Sequence, residues 1–272
     1  MHDYKKVIDA LTETQDKVKN VSFSFFEPVP FAGPSAYVDG GNACILQMPW
    51  AAVHLIRGSC CVLKGTSLSS VKKWDFFLVA KQHDGGCSLA ALGAPPFFQH
   101  PKFLNVSCID AGTVIRDQLE HAIIDWAKAL PVEFLVKDGL AEGPCELPFP
   151  LLGLAKTTKE GHSALAQQQG VWAAEDDGNM FCRLHEKAYT MFRYNAKRDT
   201  QSILAKLAFL SRDLVFPGYP YGLILADNFA RVTNNEQKYI LCLFEGLGRK
   251  EWAAITSGMR LMNAHAILDT IL

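Results

Sequence analysis

Neither sign of charge dominates this 272-residue chain: lysine and arginine number 27, aspartate and glutamate 28, and the formal net charge is −1. No bulk field therefore draws it to polyanions, and any nucleic acid must be held by a local patch. No apolar run approaches the roughly 18 to 20 residues of a membrane-spanning helix. The charged start, MHDYKKVIDALTETQDKVKN, has no signal-peptide apolar segment, which predicts a cytoplasmic protein with no membrane attachment. C-x-x-C pairs are missing among the eight cysteines. Most of these lie in apolar runs such as HLIRGSCCVL and YILCLFEG, the setting of reduced, packed thiols. Also missing are G-x-x-x-x-G-K-[ST], G-x-G-x-x-G after a strand, G-x-S-x-G and H-E-x-x-H, which argues against a P-loop ATPase, a dinucleotide enzyme, an α/β-hydrolase and a zincin. Cys60 or Cys61 with His54 would make a thiol nucleophile and base, but both cysteines sit in a run that reads as buried strand.

Hydrophobic residues make up 49% of the chain, enough for a sizeable core. With no linker, repeat or low-complexity tract, we expect a single domain over residues 1–272. Tyr4, Val7, Ile8, Leu11 and Val18 predict an amphipathic helix over residues 1–20. Trp252, Ile255, Met259, Met262, Ile267 and Ile271 predict another over 251–272. AYVDGGNACILQ reads as a strand, a turn at Asp39-Gly40-Gly41-Asn42 and a second strand. AVHLIRGSCCVLKG and WDFFLVAKQ extend this into an antiparallel meander. Residues 110–130 switch to helical spacing until Pro131 ends them. VEFLVKDG and FPLLGLAK follow as buried strands. HSALAQQQGVWAAEDDGN reads as a helix-and-loop insertion and CRLHEKAYTMFRY as one more strand. DTQSILAKLAFLSRD and the region after Gly222 read as helices. The fold class is α/β, a mixed sheet flanked by helices, with helical additions at both termini.

The chemistry-bearing residues are acids placed where strands and one helix deliver them. Asp39 and Asp138 each precede a glycine at a strand end, which suits a divalent-cation ligand and equally a D-G turn. Glu120 stands one turn after Arg116, either as half of a solvated i,i+4 ion pair or as a third carboxylate. Three such carboxylates would hold Mg²⁺ or Mn²⁺ for phosphodiester hydrolysis. Lys156 would bind a phosphate oxygen as a point charge or snorkel at the surface. Tyr219, between Pro217, Gly218 and Pro220, is a rigidly held phenol or a packing residue. Basic groups at Lys156/Lys159, Lys72/Lys73 and Arg193/Lys197/Arg198 are candidate phosphate contacts or solvated faces.

In order, the segments AYVDGGNACIL, VIRDQLEHAI, FLVKDGL, LLGLAKTTK and GYPYGLILADNFARV resemble the NurA family of nucleases over about residues 35–235. The resemblance implies a ribonuclease-H-like fold and a Mn²⁺- or Mg²⁺-dependent deoxyribonuclease, exonuclease or endonuclease. It also implies work on double-strand breaks with a HerA-type hexameric ATPase, and a homodimer that encloses DNA. A DNA-end-binding or translocase-adaptor subunit without catalysis is the alternative. Carried over residue by residue, Asp39, Glu120 and Asp138 match the acidic metal ligands, Lys156 the lysine of G-x-x-K, and Tyr219 the tyrosine of Tyr-Pro. Asp227 stands where the family often has histidine, keeping an oxygen ligand for metal and removing an imidazole from the catalytic set.

Overall fold

A computed structural model describes residues 5, 21–141, 146–156, 165, 168–176, 178–188, 190–196, 200–248 and 252–253. Apart from residues 5, 252 and 253, the helices expected over 1–20 and 251–272 lie outside these. The strands are β1 (Phe23–Phe25), β2 (Pro34–Met48), β3 (Ala51–Lys64), β4 (Ser67–His83), β5 (Gly86–Leu92), β6 (Phe103–Leu104), β7 (Phe134–Asp138), β8 (Leu151–Lys156), β9 (Trp172–Asp176), β10 (Asn179–Arg183) and β11 (Phe192–Ala196). The helices are α1 (Ala111–Trp126), α2 (Thr200–Leu210), α3 (Tyr221–Ala230) and α4 (Asn234–Leu247). The strands join one mixed sheet in the order β1-β9-β10-β11-β8-β7-β2-β3-β4-β5-β6, so the chain has the expected mixed α/β architecture. Among the described residues no helix is long and apolar enough to cross a membrane.

Two compact units divide the chain: residues 1–39, 60–72 and 127–226, and residues 40–59, 73–126 and 227–272. In the first, β7 runs parallel to both β2 and β8, while β8, β11, β10, β9 and β1 continue antiparallel. Buried on both faces, Phe134–Val136 and Leu151–Leu152 are continuous apolar runs, as central parallel strands require. Two-residue connections after β2 and β3 admit only antiparallel pairing. Gly65, at φ +59°, supplies the left-handed backbone that such a hairpin favours.

The segment 172–183 corrects the sequence reading. VWAAED is strand β9, which Gly178 at φ +75° turns back into β10. Trp172, Ala174 and Phe181 bury one side of this hairpin against Leu165, with Phe23 and Met191 packed alongside. The single strand expected over CRLHEKAYTMFRY is therefore two, β10 and β11.

Asp39-Gly40-Gly41-Asn42 is likewise not a turn, because β2 passes through it unbroken. The glycines serve close approach instead. In the second unit, a Cβ on Gly40 would sit 2.7 Å from the Glu120 Oε1 and 2.9 Å from the Arg116 Cγ, and one on Gly41 would overlap the Ala230 carbonyl oxygen. A glycine inside a strand marks such crowding as readily as it marks a bend. Gly58 on β3 admits Leu119 and Ile123 of α1 in the same way. Buried Arg57 ties α4 and the residue after α3 to this unit's strands. Its guanidinium donates to the Glu236 carboxylate at 2.6 and 3.0 Å, to Asp75 at 3.1 Å and to the Arg231 carbonyl at 3.0 Å.

Two tests follow from this packing. In the first unit a Cβ on Gly222 would overlap the buried Tyr37 ring, so Gly222→Ala should lower stability by about 1–3 kcal/mol, read as a drop in denaturant midpoint. Hydrogen bonds and charge from Arg57 hold the Glu236 carboxyl below its usual range. A depressed acid stabilises the fold above its unfolded-state pKa of about 4.3 and loses that contribution as pH falls through the lower folded value. Glu236→Gln should therefore destabilise near neutral pH and flatten the decline in stability below about pH 4.5, measured by thermal melts between neutral and acid pH.

Candidate active site where strand β2 passes the end of strand β7

Parallel register pairs Ser35 with Phe134, Ala36 with Leu135, Tyr37 with Val136 and Val38 with Lys137. Asp39 and Asp138 are the next residue on each strand. Neighbouring strands lie about 4.8 Å apart and side chains alternate faces, so the two carboxylates share the face of Tyr37 and Val136. Asp39 is buried and Asp138 half-buried. The next position, Gly139, has φ +93°, which ends the strand immediately after the acid. Its N–H donates to the Leu154 carbonyl at 2.8 Å. Asn195 of β11 then clamps Ala141, accepting from its N–H at 2.8 Å and donating to its carbonyl at 2.9 Å. Gly153 leaves room for this crossing, since a Cβ there would overlap the Ala141 nitrogen.

Asp138 Oδ2 accepts a hydrogen bond from the Tyr219 hydroxyl at 2.9 Å and meets the Lys156 ammonium at 3.1 Å. The same ammonium lies 5.2 Å from the centre of the Tyr219 ring, and that ring packs on Phe192 at 5.4 Å. Four residues of the Gly-Tyr-Pro-Tyr-Gly run have a part in delivering the phenol. Gly218 adopts φ +91° and is crowded by Ala188. Tyr219 precedes a proline and is kept out of the helix. The Pro220 carbonyl, just ahead of α3, accepts its first helical N–H groups, from Leu223 and Ile224. Gly222 lets α3 lie on the Tyr37 ring. The phenol is thus both packed on Phe192 and hydrogen-bonded to an acid.

Glu120 is 2% exposed, with the Arg116 Nε 3.8 Å from its Oε1, so the solvated ion pair gives way to a buried carboxylate packed on Gly40. Asp227 of α3 pairs with Arg231 one turn on. Lys156 is half-exposed at the end of β8. Lys72, Lys73 and Arg193 are exposed, while Lys159, Lys197 and Arg198 lie outside the described residues. Lys137 was not foreseen. It is buried in β7 and donates from Nζ to the Asp138 carbonyl at 3.0 Å. Its signal was a lone lysine inside an apolar strand, immediately before the acid. Among the described residues no three or more His, Cys, Asp or Glu side chains gather into a metal-holding group.

The cysteine hydrolase finds no support. Burial pushes the Cys60 and Cys61 thiols up to about 12, with the Asp39 charge adding to the second, so neither is a thiolate near neutral pH. His54 is buried, its pKa lowered by desolvation, and its Nε2 lies 2.8 Å from the Cys108 carbonyl oxygen. Iodoacetamide at pH 8 should therefore label exposed Cys242 and leave Cys60, Cys61 and Cys182 unmodified until denaturant is added, as peptide mass mapping would read.

No family model matches the sequence, and no curated protein matches it. Solved structures do match. The chain is similar to the NurA nuclease from Sulfolobus solfataricus, with a TM-score of 0.59 and 11% identity over 92% of this chain and 95% of that one. Ciona intestinalis Endonuclease V, solved with a 23mer DNA containing an inosine followed by a ribo-adenosine, gives a TM-score of 0.45 at 10% identity, covering 88% of this chain and 100% of that one. The catalytic domain of human Endonuclease V gives 0.42 at 14% identity, covering 90% of this chain and 98% of that one. The fold of this chain is that of the NurA nuclease.

Proposed function

We propose that this protein is a metal-dependent deoxyribonuclease of NurA type. We further propose that it processes double-strand-break ends as a homodimer, with translocation supplied by a HerA-type hexameric ATPase. The observation that carries the reading is Asp138, braced by Tyr219 and Lys156 at the end of β7, one register position beyond the β2 ladder that delivers Asp39. The donor set suits Mg²⁺ or Mn²⁺. Small hard cations take one or two carboxylates and fill their remaining positions with water and substrate phosphate, without a dedicated cage. Asp39 and Asp138 would hold such an ion, which when bound supplies Lewis-acid stabilisation of charge developing on phosphate oxygens. Glu120 and Asp227 enter through the resemblance alone.

The chain's own residues do the positioning. The Tyr219 hydroxyl fixes the rotation of the Asp138 carboxylate, as outer-shell donors do for acidic ligands. Lys156 has three ammonium protons and directs one at Asp138, leaving the others for a phosphate oxygen. The basic side chains on exposed strands hold DNA through its backbone, without reading sequence.

Two observations favour the non-catalytic end-binding adaptor. Lys156 neutralises Asp138, and the described residues gather no three-donor group. Incubating the purified protein with single- and double-stranded DNA, with Mn²⁺, Mg²⁺ or a chelator, separates the two readings. The nuclease cuts with either cation and stops in chelator, whereas the adaptor binds and never cuts. Asp39→Asn and Asp138→Asn should each lower cleavage by more than about 100-fold, and Tyr219→Phe by about 10–100-fold. DNA affinity should stay near wild type in all three, because phosphate contacts remain. Glu120→Gln and Asp227→Ala measure the share of the other two acids.

A further inference from the structure

Leu214, Val215 and Phe216 are 98, 74 and 57% exposed. Among the described residues no other large exposed apolar side chains are even adjacent in sequence, and scattered ones need no explanation. Water does not favour three in a row, and this tip is held in place. Asp213 Oδ1 accepts the N–H groups of Val215 and Phe216 at 2.8 and 2.9 Å. The Phe216 carbonyl accepts from Tyr219 at 3.1 Å, and the Ser211 carbonyl from Gly218 at 2.8 Å. Buried Ser211 is itself bonded to the Leu207 carbonyl at 2.7 Å. The turn that presents the apolar tip is thus the turn that presents Tyr219 to Asp138.

We infer that Leu214-Val215-Phe216 is a wedge that unstacks the terminal base pairs of a DNA duplex whose phosphate lies at the Asp138–Lys156 corner. The inference rests on the nuclease reading for the placement of that phosphate. Three residue steps lead from Phe216 to Tyr219, a reach of at most about 11 Å, or roughly three base steps of 3.4 Å. Phe and Leu on a rigid turn are the side chains that proteins insert between base steps, and a phenyl ring stacks on any base. A second copy of the chain is the competing occupant. Three side chains fall far short of the roughly 20 to 30 residues a side that a stable interface uses.

The test uses the full chain in chelator with a blunt duplex carrying 2-aminopurine at the penultimate position. Wild type should raise its fluorescence several-fold on binding. The variant L214S/V215S/F216S should abolish the rise, with unchanged melting temperature and mass, and DNA affinity within a few-fold by anisotropy. With Mn²⁺ the variant should cut single-stranded DNA at the wild-type rate and the blunt duplex at least 10-fold more slowly. Wild type that fails to bind duplex or binds without a rise, or a variant that retains the rise, overturns the wedge. So does a variant that falls from dimer to monomer in light scattering, which would assign the tip to a second copy. If wild type cuts neither DNA, the nuclease reading fails while the fluorescence result still decides the wedge.

Discussion

The parallel pairing of β2 with β7 is the constraint on which the candidate site depends. With Val38 opposite Lys137, Asp39 and Asp138 become neighbours at one level of the sheet. A slip of one residue would send either acid to the opposite face. That register is protected by packing: Ala36, Tyr37, Val38, Leu135 and Val136 are all fully buried, so a shifted pairing would drive the large Tyr37 ring into space packed for smaller side chains. The two acids inherit their precision from residues that do no chemistry.

Glycine and proline convert this register into a site. Gly139 stops β7 after the acid, Gly153 admits the chain that crosses β8, and Gly222 lets the helix carrying the Tyr219 turn settle on Tyr37. Gly40 and Gly41 do the same for Glu120 and Ala230. At Gly40, Gly41, Gly153 and Gly222 the absent side chain is the space that another group occupies.

Much of this was legible in the chain. The strands after Gly41, the helix over residues 110–130 and the end of β7 at Asp138 follow from hydrophobic period and breaker residues. What failed did so for identifiable reasons. The double glycine of VDGG carries the same local signal for a turn and for close packing, and only the tertiary contact with α1 and Ala230 distinguishes them. Trp172–Asp176 was missed as a strand because its alanines favour helices and its partners, β1 and β10, are distant or weakly patterned. The burial of Glu120 and Lys137 could not be read from charge, because sequence spacing shows which residues are close but not which face is covered. Asn195, which clamps the segment after Asp138, has no local signature at all.

The central proposal is that Asp39 and Asp138 together hold a divalent cation, and iron-directed cleavage tests it without relying on DNA hydrolysis. Fe²⁺ bound in place of Mg²⁺ or Mn²⁺, with ascorbate and peroxide, would cut the backbone beside its ligands. The account predicts cuts at both the 39–40 and 138–139 segments, lost together when excess Mn²⁺ competes or when either aspartate becomes asparagine. Cuts at only one segment, or cuts that persist in Asp39→Asn, would contradict it.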